Sequence, residues 1–395
     1  MTIRMMDQLD VTGKRALVRV DFNVPLKDKE VIDDTRIRAA LPTLETLLDR
    51  GATLVLMSHL GRPKGPEDRY RMGPVAARLA ALLGREVRYL PAPGPAAKET
   101  QDFVRHAPRG SVTLLENTRF DPGEAKNDPE LAMMLATYAE VYVNDAFGAA
   151  HRAHASTTGV AALLPSAAGL LLAKELTVLG RLLRDPARPF KVILGGAKVS
   201  DKIGVIEHLL DRVDAILIGG AMAYTFFKAQ GGKVGKSLVE DDKLAVATEL
   251  LSSARSNGVD LYLPEDSVCA AELSEGVGTS IHASDAIPDS LMGLDAGPAA
   301  ISTFRQALTG AKTVLWNGPL GVFEVPPFDR ATRALAETVA DLPAFSVVGG
   351  GDSVAALRAT GVEQKIDHVS TGGGASLEFL EGKTLPGVAV LTDET

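Results

Sequence analysis

Charged and polar side chains follow several of the apolar, strand-like runs in the first half of this chain. They are Asp21, Asn23, His59, Arg62, Arg119 and Arg152, with Arg36 at the start of a predicted helix. The carboxyl ends of parallel strands meet at one edge of a sheet, so we expect these side chains to lie close together. Guanidinium groups match phosphate and carboxylate oxygens. Four arginines and one histidine therefore predict a pocket for a small, doubly anionic molecule.

Glycine ends the equivalent runs in the second half, which read KVILGGAK, AILIGGAM, TVLWNGP, FSVVGGGD and HVSTGGG. Glycine turns let backbone N–H groups approach a ligand closely, which suits the phosphates of a nucleotide. The two halves therefore predict two different ligands. We interpret the chain as an enzyme that passes a phosphoryl group between them.

Two lysines follow the first glycine pair. Lys198 and Lys202 are four residues apart at the start of a predicted helix, where they would share one face and repel each other. A bound anion would reverse that cost. Lysines so spaced are more often simply solvated, but the preceding Gly195-Gly196 turn favours phosphate binding.

Two further motifs extend the predicted nucleotide site. In GGGDS, Asp352 could hold Mg²⁺ or cap the helix that follows. In WNGPLGVFE, Glu324 could accept hydrogen bonds from ribose hydroxyls, or it could be an ordinary glutamate of a loop. His151 and His154 lack a third ligand at a suitable spacing, so a zinc site is not favoured.

Composition narrows the class of protein. The 395 residues exceed one compact core and fit two domains. A net charge of −8 argues against a general partner among nucleic acids or membrane surfaces. The single cysteine, Cys269, allows no intrachain disulfide, and the charged N-terminus lacks the apolar core of a signal peptide. We therefore expect a cytoplasmic protein.

Apolar strand patterns alternate with helix-length segments, which is typical of an α/β protein with mostly parallel sheets. We predict strands near 15–22, 53–59, 87–90, 112–116, 141–145, 191–195, 214–219, 260–263, 312–317, 345–349 and 367–370. We predict helices near 35–50, 73–84, 128–139, 200–212, 240–256, 299–309, 328–341 and 352–360.

A leucine-rich, helix-like run lies between the halves and ends at Asp185-Pro186. Proline restricts the residue before it and stops a helix. We interpret this run, about 167–184, as an interdomain helix with the domain boundary close to 185. The alternative is an ordinary core helix of one domain.

Taken together, the motifs resemble those of the phosphoglycerate kinase family over essentially the whole chain. VRVDFNVP, SHLGRPKG, ENTRF, NDAFGAAHRAHAST, GGAKVSDKI, WNGPLGVFE, GGGDS and STGGGASLEFLEGK occur in the order and spacing of that family. The resemblance implies two Rossmann-like domains joined by a helix. Residues 1–184 would bind 3-phosphoglycerate or 1,3-bisphosphoglycerate, 185–370 would bind the nucleotide, and 371–395 would form a hinge and a tail returning to the first domain.

The resemblance also implies the reaction and its residues. The reaction is reversible transfer of a phosphoryl group from 1,3-bisphosphoglycerate to MgADP, and the enzyme would be a monomer. The implied substrate site comprises Asp21, Phe22, Asn23, Arg36, His59, Leu60, Gly61, Arg62, Arg119 and Arg152. The implied nucleotide site comprises Lys202, Gly293, Asn317, Glu324, Gly350, Gly351, Asp352 and Ser353, with Asp352 as the Mg²⁺ ligand. Around the transferred group the resemblance places Arg36, Lys198, Lys202, Gly372 and Gly373.

The chemistry needs no general base, because the acceptor carboxylate is already ionised at neutral pH. Positioning and charge neutralisation would be the main catalytic terms, and hinge bending would bring the two ligands together. One alternative is another carboxylate kinase that forms an acyl phosphate on acetate, aspartate or glutamate. A second is a non-catalytic, nucleotide-regulated binding protein.

Overall fold

The computed structural model describes residues 3–392 and divides the chain into two compact units. The first unit contains the described residues up to Thr177 together with those from Thr384 onward. The second unit is Val178–Lys383. Each unit is built around a six-stranded sheet in which every pairing is parallel. The predicted α/β class with parallel sheets is confirmed.

The sheet of the first unit has its earliest strand near the middle. The strand order is Val87–Tyr89, Val112–Leu114, Thr53–Met57, Arg15–Arg19, Val141–Asn144 and Ser166–Ala168. Its α-helices are Thr35–Asp49, Gly73–Leu83, Lys98–Arg105, Pro129–Ala136 and Pro386–Ala389. The first of these helices buries Ile37, Leu44 and Leu47, whose spacing places them on one face against the sheet.

The second unit repeats this plan. Its strand order is Asp260–Tyr262, Ala215–Ile218, Phe190–Leu194, Thr313–Asn317, Phe345–Gly349 and His368–Val369. Its α-helices are Ile203–Leu209, Met222–Ala229, Leu244–Ser256, Pro298–Leu308, Arg330–Asp341, Gly351–Thr360 and Gly374–Leu380. The strands that follow Phe190–Leu194 in the chain are first added on one side of it, and those from Thr313–Asn317 onward are added on the other side. The chain thus changes direction between Phe190–Leu194 and Thr313–Asn317, which flank a topological switch point.

The second unit also contains small sheets that the sequence analysis did not predict. Ser280–Ala283, Asp266–Ala270 and Met292–Ala296 form an antiparallel sheet. Lys233–Val234 pairs with Ala286–Ile287. Leu26–Lys27 and Glu30–Val31 form a short hairpin in the first unit. These strands are short and partly polar, so they lack the apolar runs by which the parallel strands were recognised.

The leucine-rich run forms the helix Leu170–Arg184. The division between the compact units falls inside this helix, between Thr177 and Val178, rather than at its end. From residue 384 the chain packs with the first unit, where the Gly387 N–H donates to the Ala150 carbonyl at 2.9 Å. The binding functions assigned to 1–184, 185–370 and 371–395 remain predictions.

Within residues 3–392, the helices are either too short or too polar to cross a membrane.

Candidate functional site

The switch point of the second unit brings two glycine turns into contact. A Cβ atom at Gly195 would lie 2.0 Å from the Pro319 carbonyl oxygen, so only glycine fits there. The N–H groups of Gly195 and Gly196 donate to the carbonyls of Asn317 and Pro319 at 2.9 and 3.0 Å. These two glycines therefore pack the strand ends together. The expectation that their N–H groups face a ligand is wrong, because both are already hydrogen-bonded within the protein.

A polar cavity of about 620 Å³ opens over this switch point. Its lining includes Lys198, Lys202, Asn317, Gly350, Gly351, Asp352, Ser353, Gly373 and Lys383. Gly350, with φ of 93°, precedes the helix Gly351–Thr360. The first N–H groups of any helix lack acceptors within the helix, so this N-terminus supplies the backbone donors that a phosphate requires.

The two predicted lysines both line the polar cavity, but the predicted geometry between them is wrong. Lys198 has an extended backbone and precedes the 3₁₀ turn Val199–Asp201. Lys202 follows that turn and precedes the helix Ile203–Leu209. The intervening 3₁₀ turn prevents the pair from sharing a face of one α-helix, so it is the cavity that brings the two lysines together.

Lys202 is buried at the floor of this cavity, and its Nζ donates to the Asn317 side-chain oxygen. Burial lowers the pKa of Lys202 to about 8, and the charges of Asp201, Asp352 and Glu381 only partly oppose this shift. An ammonium group has three donors, and a phosphate would supply charge and further acceptors.

Asn317 and Ser353 hold the strand ends around the cavity. The Asn317 side-chain amide donates to the Gly349 carbonyl at 2.9 Å, and Ser353 Oγ accepts from the Gly318 N–H at 2.6 Å. Both side chains are buried and occupied by these structural bonds.

Asp352 lies in the first turn of the helix and lines the cavity. Within residues 3–392, no cluster of three His, Cys, Asp or Glu side chains could hold a metal alone. One carboxylate with phosphate oxygens is a common arrangement for Mg²⁺.

The glycines of STGGG have different roles. Gly373, with φ of 49°, lines the polar cavity. The N–H of Gly372 donates to Ser370 Oγ at 3.2 Å. The structure therefore places Gly373 at the cavity surface, whereas the Gly372 amide already has an acceptor.

A second cavity of about 430 Å³ adjoins the polar one and is mainly apolar. Its lining includes Tyr224, Leu238, Leu273, Met292, Gly293, Val322 and the predicted Glu324. Gly196, Ala197, Pro319 and Asp352 line both cavities, so the two spaces are contiguous. A Cβ atom at Gly293 would lie 2.0 Å from the Tyr224 hydroxyl oxygen, which explains the glycine in this wall.

In the first unit, the segment after the central strand orients Arg36. Its guanidinium donates to the Asn23 carbonyl at 3.0 Å and lies 3.3 Å from the Asp21 carboxylate. The Asn23 side chain accepts from the Gly61 N–H at 2.8 Å, which joins this segment to the predicted SHLGR loop. The Phe22 N–H donates to Ser58 Oγ at 2.8 Å, and the Phe22 side chain is buried.

The predicted arginines are close enough to repel one another. Burial lowers the pKa of Arg119 to about 10, and repulsion from Arg152, Arg19 and Arg62 contributes. Arg119 also donates to the Gly61 carbonyl at 2.5 Å, while Arg152 donates to His151 Nε2 at 3.1 Å. A bound anion would relieve this repulsion, which is what the sequence predicted for a cluster of arginines.

His59 contributes an imidazole but not a charge. Its pKa lies well below the ordinary value because of burial and the nearby charges of Arg19 and Arg119. The positive charge of this site therefore comes from guanidinium groups. Leu60, beside His59, is buried, whereas the Arg62 side chain is exposed.

The sequence analysis missed the residues that hold the SHLGR loop in place. The buried Asn117 side chain accepts from the Leu60 N–H at 3.2 Å and donates to the Leu60 and Tyr70 carbonyls at 2.8 and 2.9 Å. Glu116 accepts from the Met72 N–H at 3.1 Å. Their signal was visible, since Glu116 and Asn117 follow the strand Val112–Leu114 after one further buried residue, Leu115, but only Arg119 of ENTRF was chosen.

Comparison with known proteins decides the family. The family model described as "Phosphoglycerate kinase" matches residues 6–383. The chain belongs to the phosphoglycerate kinase family. The phosphoglycerate kinase of Thermus thermophilus is 58% identical over 390 residues, which cover 98% of this chain and 100% of that protein. The phosphoglycerate kinase of Moorella thermoacetica is 56% identical, with 98% of each chain covered.

Solved structures of phosphoglycerate kinases have the same fold. The structure from Coxiella burnetii matches with a TM-score of 0.88 at 40% identity, covering 99% of both chains. The structure from Pyrococcus horikoshii matches with a TM-score of 0.85 at 31% identity, covering 98% of both.

Membership of the phosphoglycerate kinase family establishes the reaction. The protein is a glycolytic phosphotransferase that moves a phosphoryl group between 1,3-bisphosphoglycerate and ADP, giving 3-phosphoglycerate and ATP. The other carboxylate kinases are not favoured. Kinases of this family use ATP or ADP, generally with Mg²⁺.

Proposed function

We propose that the second unit binds the nucleotide, with its base and ribose in the apolar cavity and its phosphates in the polar cavity. The observation that carries this proposal is the continuity of the two cavities through Gly196, Ala197, Pro319 and Asp352. A nucleotide has an apolar face at one end and a chain of anions at the other. The paired cavities match both ends.

Within this site, each predicted residue receives a role from its position. Lys198 and Lys202 neutralise phosphate oxygens, and the helix N-terminus at Gly350 and Gly351 donates backbone N–H groups to them. Asp352 holds Mg²⁺ at the junction of the cavities. Gly293 and Glu324 contact the base and ribose, while Asn317 and Ser353 hold the walls.

The first unit binds the triose acid. Arg36, Arg62, Arg119 and Arg152 neutralise its phosphate and carboxylate groups, and His59 donates a hydrogen bond. Asp21, Asn23 and the Leu60-Gly61 segment orient these groups. Support comes from the repulsion among the guanidiniums and from the bonds that link Asn23, Gly61, Arg36 and Arg119.

The phosphoryl group passes directly between the two ligands, without a phosphoenzyme. Arg36, Lys198, Lys202 and the Gly372-Gly373 segment surround the transferred group, and Mg²⁺ supplies further positive charge when it is bound. Because the acceptor carboxylate is ionised at neutral pH, the protein needs to supply position and charge rather than a base.

The proposed residue roles predict a clear discrimination between acceptors. With MgATP in a coupled assay, we expect turnover with 3-phosphoglycerate and none with acetate or aspartate, because four guanidiniums suit two anionic groups.

Arg119→Met should raise KM for 3-phosphoglycerate by at least about tenfold, since a charge-assisted contact is lost. Arg105→Met, at an exposed ion pair of the same unit, is the matched control. Equal KM values for both variants would contradict the site.

Turnover also includes hinge bending about the helix Leu170–Arg184 and the STGGG segment, because the acyl phosphate must be kept from water. Small-angle scattering should show compaction when both ligands are bound. No change in the radius of gyration would contradict this motion.

The protein functions as a cytoplasmic monomer, without a nucleic-acid or membrane partner. Its net charge of −8 and single cysteine support this part of the proposal.

A further inference from the structure

Arg19 is the only guanidinium of the substrate cluster that has no exposed surface within residues 3–392. It ends the central strand Arg15–Arg19 of the first unit and lies two residues before Asp21. Each of its nitrogens has an acceptor: Nε donates to Ser156 Oγ at 2.8 Å, Nη1 donates to the Val20 carbonyl, and Nη2 donates to His59 Nδ1 at 3.1 Å. Arg19 therefore acts on a ligand only through its neighbours.

The bond to His59 fixes the tautomer of the imidazole. A guanidinium can only donate, so His59 Nδ1 must be the acceptor and cannot carry a proton. The proton of a neutral ring then lies on Nε2, which remains available as a donor. A doubly protonated ring would place two N–H groups against each other at the Arg19 contact.

The charge of Arg19 is compensated by Glu124 through Ser156, and not by His59. Ser156 Oγ accepts from Arg19 and donates to Glu124 Oε1 at 2.6 Å, and the Ser156 N–H donates to Glu124 Oε2 at 3.0 Å. Burial would raise the pKa of Glu124, but the His154 hydrogen bond and the charge of Arg19 hold it at about 2. The buried guanidinium of Arg19 is therefore held in position by a serine and compensated through it by an ionised carboxylate.

The other arginines near His59 act in the same direction as Arg19. Arg119 of the turn Thr118–Phe120 and Arg36 of the helix Thr35–Asp49 both disfavour a protonated ring. Glu124 is the opposing charge, but it is engaged with Ser156 and lies 3.7 Å from His154 Nδ1. Burial of His59 adds to the effect of the arginines.

We propose that Arg19 is a positioning residue that holds His59 as a neutral imidazole protonated on Nε2, so that His59 recognises the anionic substrate as an uncharged hydrogen-bond donor. This inference rests on the proposed substrate site of the first unit. Two different roles are then present within the cluster. The exposed and half-buried arginines supply charge, whereas His59 supplies a directed donor whose state does not change over the physiological pH range.

The tautomer is tested directly by NMR of full-length protein labelled with ¹⁵N in histidine. Between about pH 5.5 and about pH 8, where free imidazole titrates, the His59 signals should show one protonated nitrogen, Nε2, at every pH. Titration of His59 in this range, or a proton on Nδ1, would overturn the proposal. This measurement needs no variant, so it decides the matter even if a variant fails to fold.

Arg19→Met supplies the functional test. Without the buried donor and its charge, His59 should titrate nearer its ordinary value of about 6.5. The KM for 3-phosphoglycerate of the variant, divided by that of the wild type at each pH, should then change by about fivefold across the range, since a charged donor binds an anion more tightly. Taking the ratio cancels ionisation of the ligand itself.

Arg15→Met is the matched control, because Arg15 begins the same strand and donates to the Tyr138 carbonyl instead. Its KM ratio should not vary with pH. A flat ratio for Arg19→Met, with His59 still neutral, would overturn the role of Arg19. If 3-phosphoglycerate fails to shift the wild-type His59 signals while the tautomer is as stated, the substrate site is wrong and the positioning by Arg19 stands.

Discussion

At the scale of single residues, buried polar side chains hold the predicted ligand-binding groups in place. Asn317 accepts from Lys202 and donates to the Gly349 carbonyl, so one amide joins the predicted phosphate lysine to the neighbouring strand end. In the first unit, the Asn117 side chain accepts from the Leu60 N–H and donates to the Leu60 carbonyl, which holds the SHLGR loop in place. Buried polar groups that are fully hydrogen-bonded define a single arrangement, because any other would leave donors or acceptors unpaired.

Lys202 should make nucleotide binding depend on pH. Its folded pKa is lowered to about 8 by burial, so the ammonium loses its proton as the pH rises through 8. Phosphate favours the charged form, so the contribution of Lys202 to ADP binding should be constant below about pH 7.5. Above pH 8 the Kd for ADP should rise by at most tenfold per pH unit. Isothermal titration calorimetry across this range measures the effect.

Lys202→Met should remove this pH dependence and lower kcat by about 10² to 10³, the effect typical of losing one donor to developing charge. Lys365→Met, at an exposed ion pair with Asp341 in the same unit, is the matched control and should keep the wild-type profile. An unchanged pH profile in Lys202→Met would show that another group titrates.

At the scale of elements, close packing rather than hydrogen bonding explains several glycines. Gly195 permits contact between two strand ends, and Gly293 lies against the Tyr224 hydroxyl. The strand Met292–Ala296 carries Gly293 and pairs with Asp266–Ala270 through an irregular register near Cys269. Walls of this kind depend on the absence of one methyl group, because packed interiors have no room to accommodate it.

Gly293→Ala should therefore damage the nucleotide site. The added methyl would overlap Tyr224, whose hydroxyl donates to Ser267 Oγ at 2.9 Å, so the strand or the ring must move. We expect a loss of about 1 to 3 kcal/mol in the free energy of unfolding and weaker binding of ADP. Thermal denaturation and calorimetry measure both quantities.

Gly278→Ala is the control for this substitution. A Cβ atom at Gly278 meets nothing within 4 Å, so stability should change by no more than about 0.5 kcal/mol. Binding of 3-phosphoglycerate should be the same in both variants. Normal ADP binding by Gly293→Ala would mean that this wall does not contact the nucleotide.

The parallel strands could be predicted from sequence because buried strands are short, continuous apolar runs such as TLVLM and AILI, and glycine or polar residues follow them. The antiparallel strands could not, since a segment such as Ser280–Ala283 is largely exposed and short. For the candidate site, residue types and strand ends sufficed to choose Lys198, Lys202 and the arginines. Their geometry depends on a 3₁₀ turn and on tertiary hydrogen bonds, which periodicity does not encode.

The buried arginine was missed for a related reason. In VRVDFN, Arg19 alternates with apolar residues and resembles the solvent-facing position of a strand, whereas the structure buries it against Ser156 and His59. Its partners lie 40 and 137 residues further along the chain. Local sequence cannot show that a distant serine and carboxylate will compensate a charge.

At the scale of the whole molecule, the chain repeats one plan twice, with different groups at the ends of the strands. Both sheets have the first strand near the centre and a switch point beside it. In one unit the strand ends lead to guanidiniums, and in the other they lead to a helix N-terminus and two lysines. Each unit has its own hydrophobic core, so we expect each to respond separately to the ligand proposed for it.

Hydrogen exchange with one ligand at a time should separate the two units. A ligand that binds the folded state protects the amides that it orders, because opening of that region then requires its release. MgADP should slow exchange at 350–354 and 196–204 in the second unit. Exchange at 59–62 and 117–121 in the first unit should be little affected. 3-Phosphoglycerate should give the reverse pattern. Lys202→Met should reduce the first response and leave the second intact, and Arg119→Met should do the opposite. Protection by 3-phosphoglycerate confined to the second unit would contradict the assignment of ligands to units, whereas protection of both units by either ligand would show that the units are coupled.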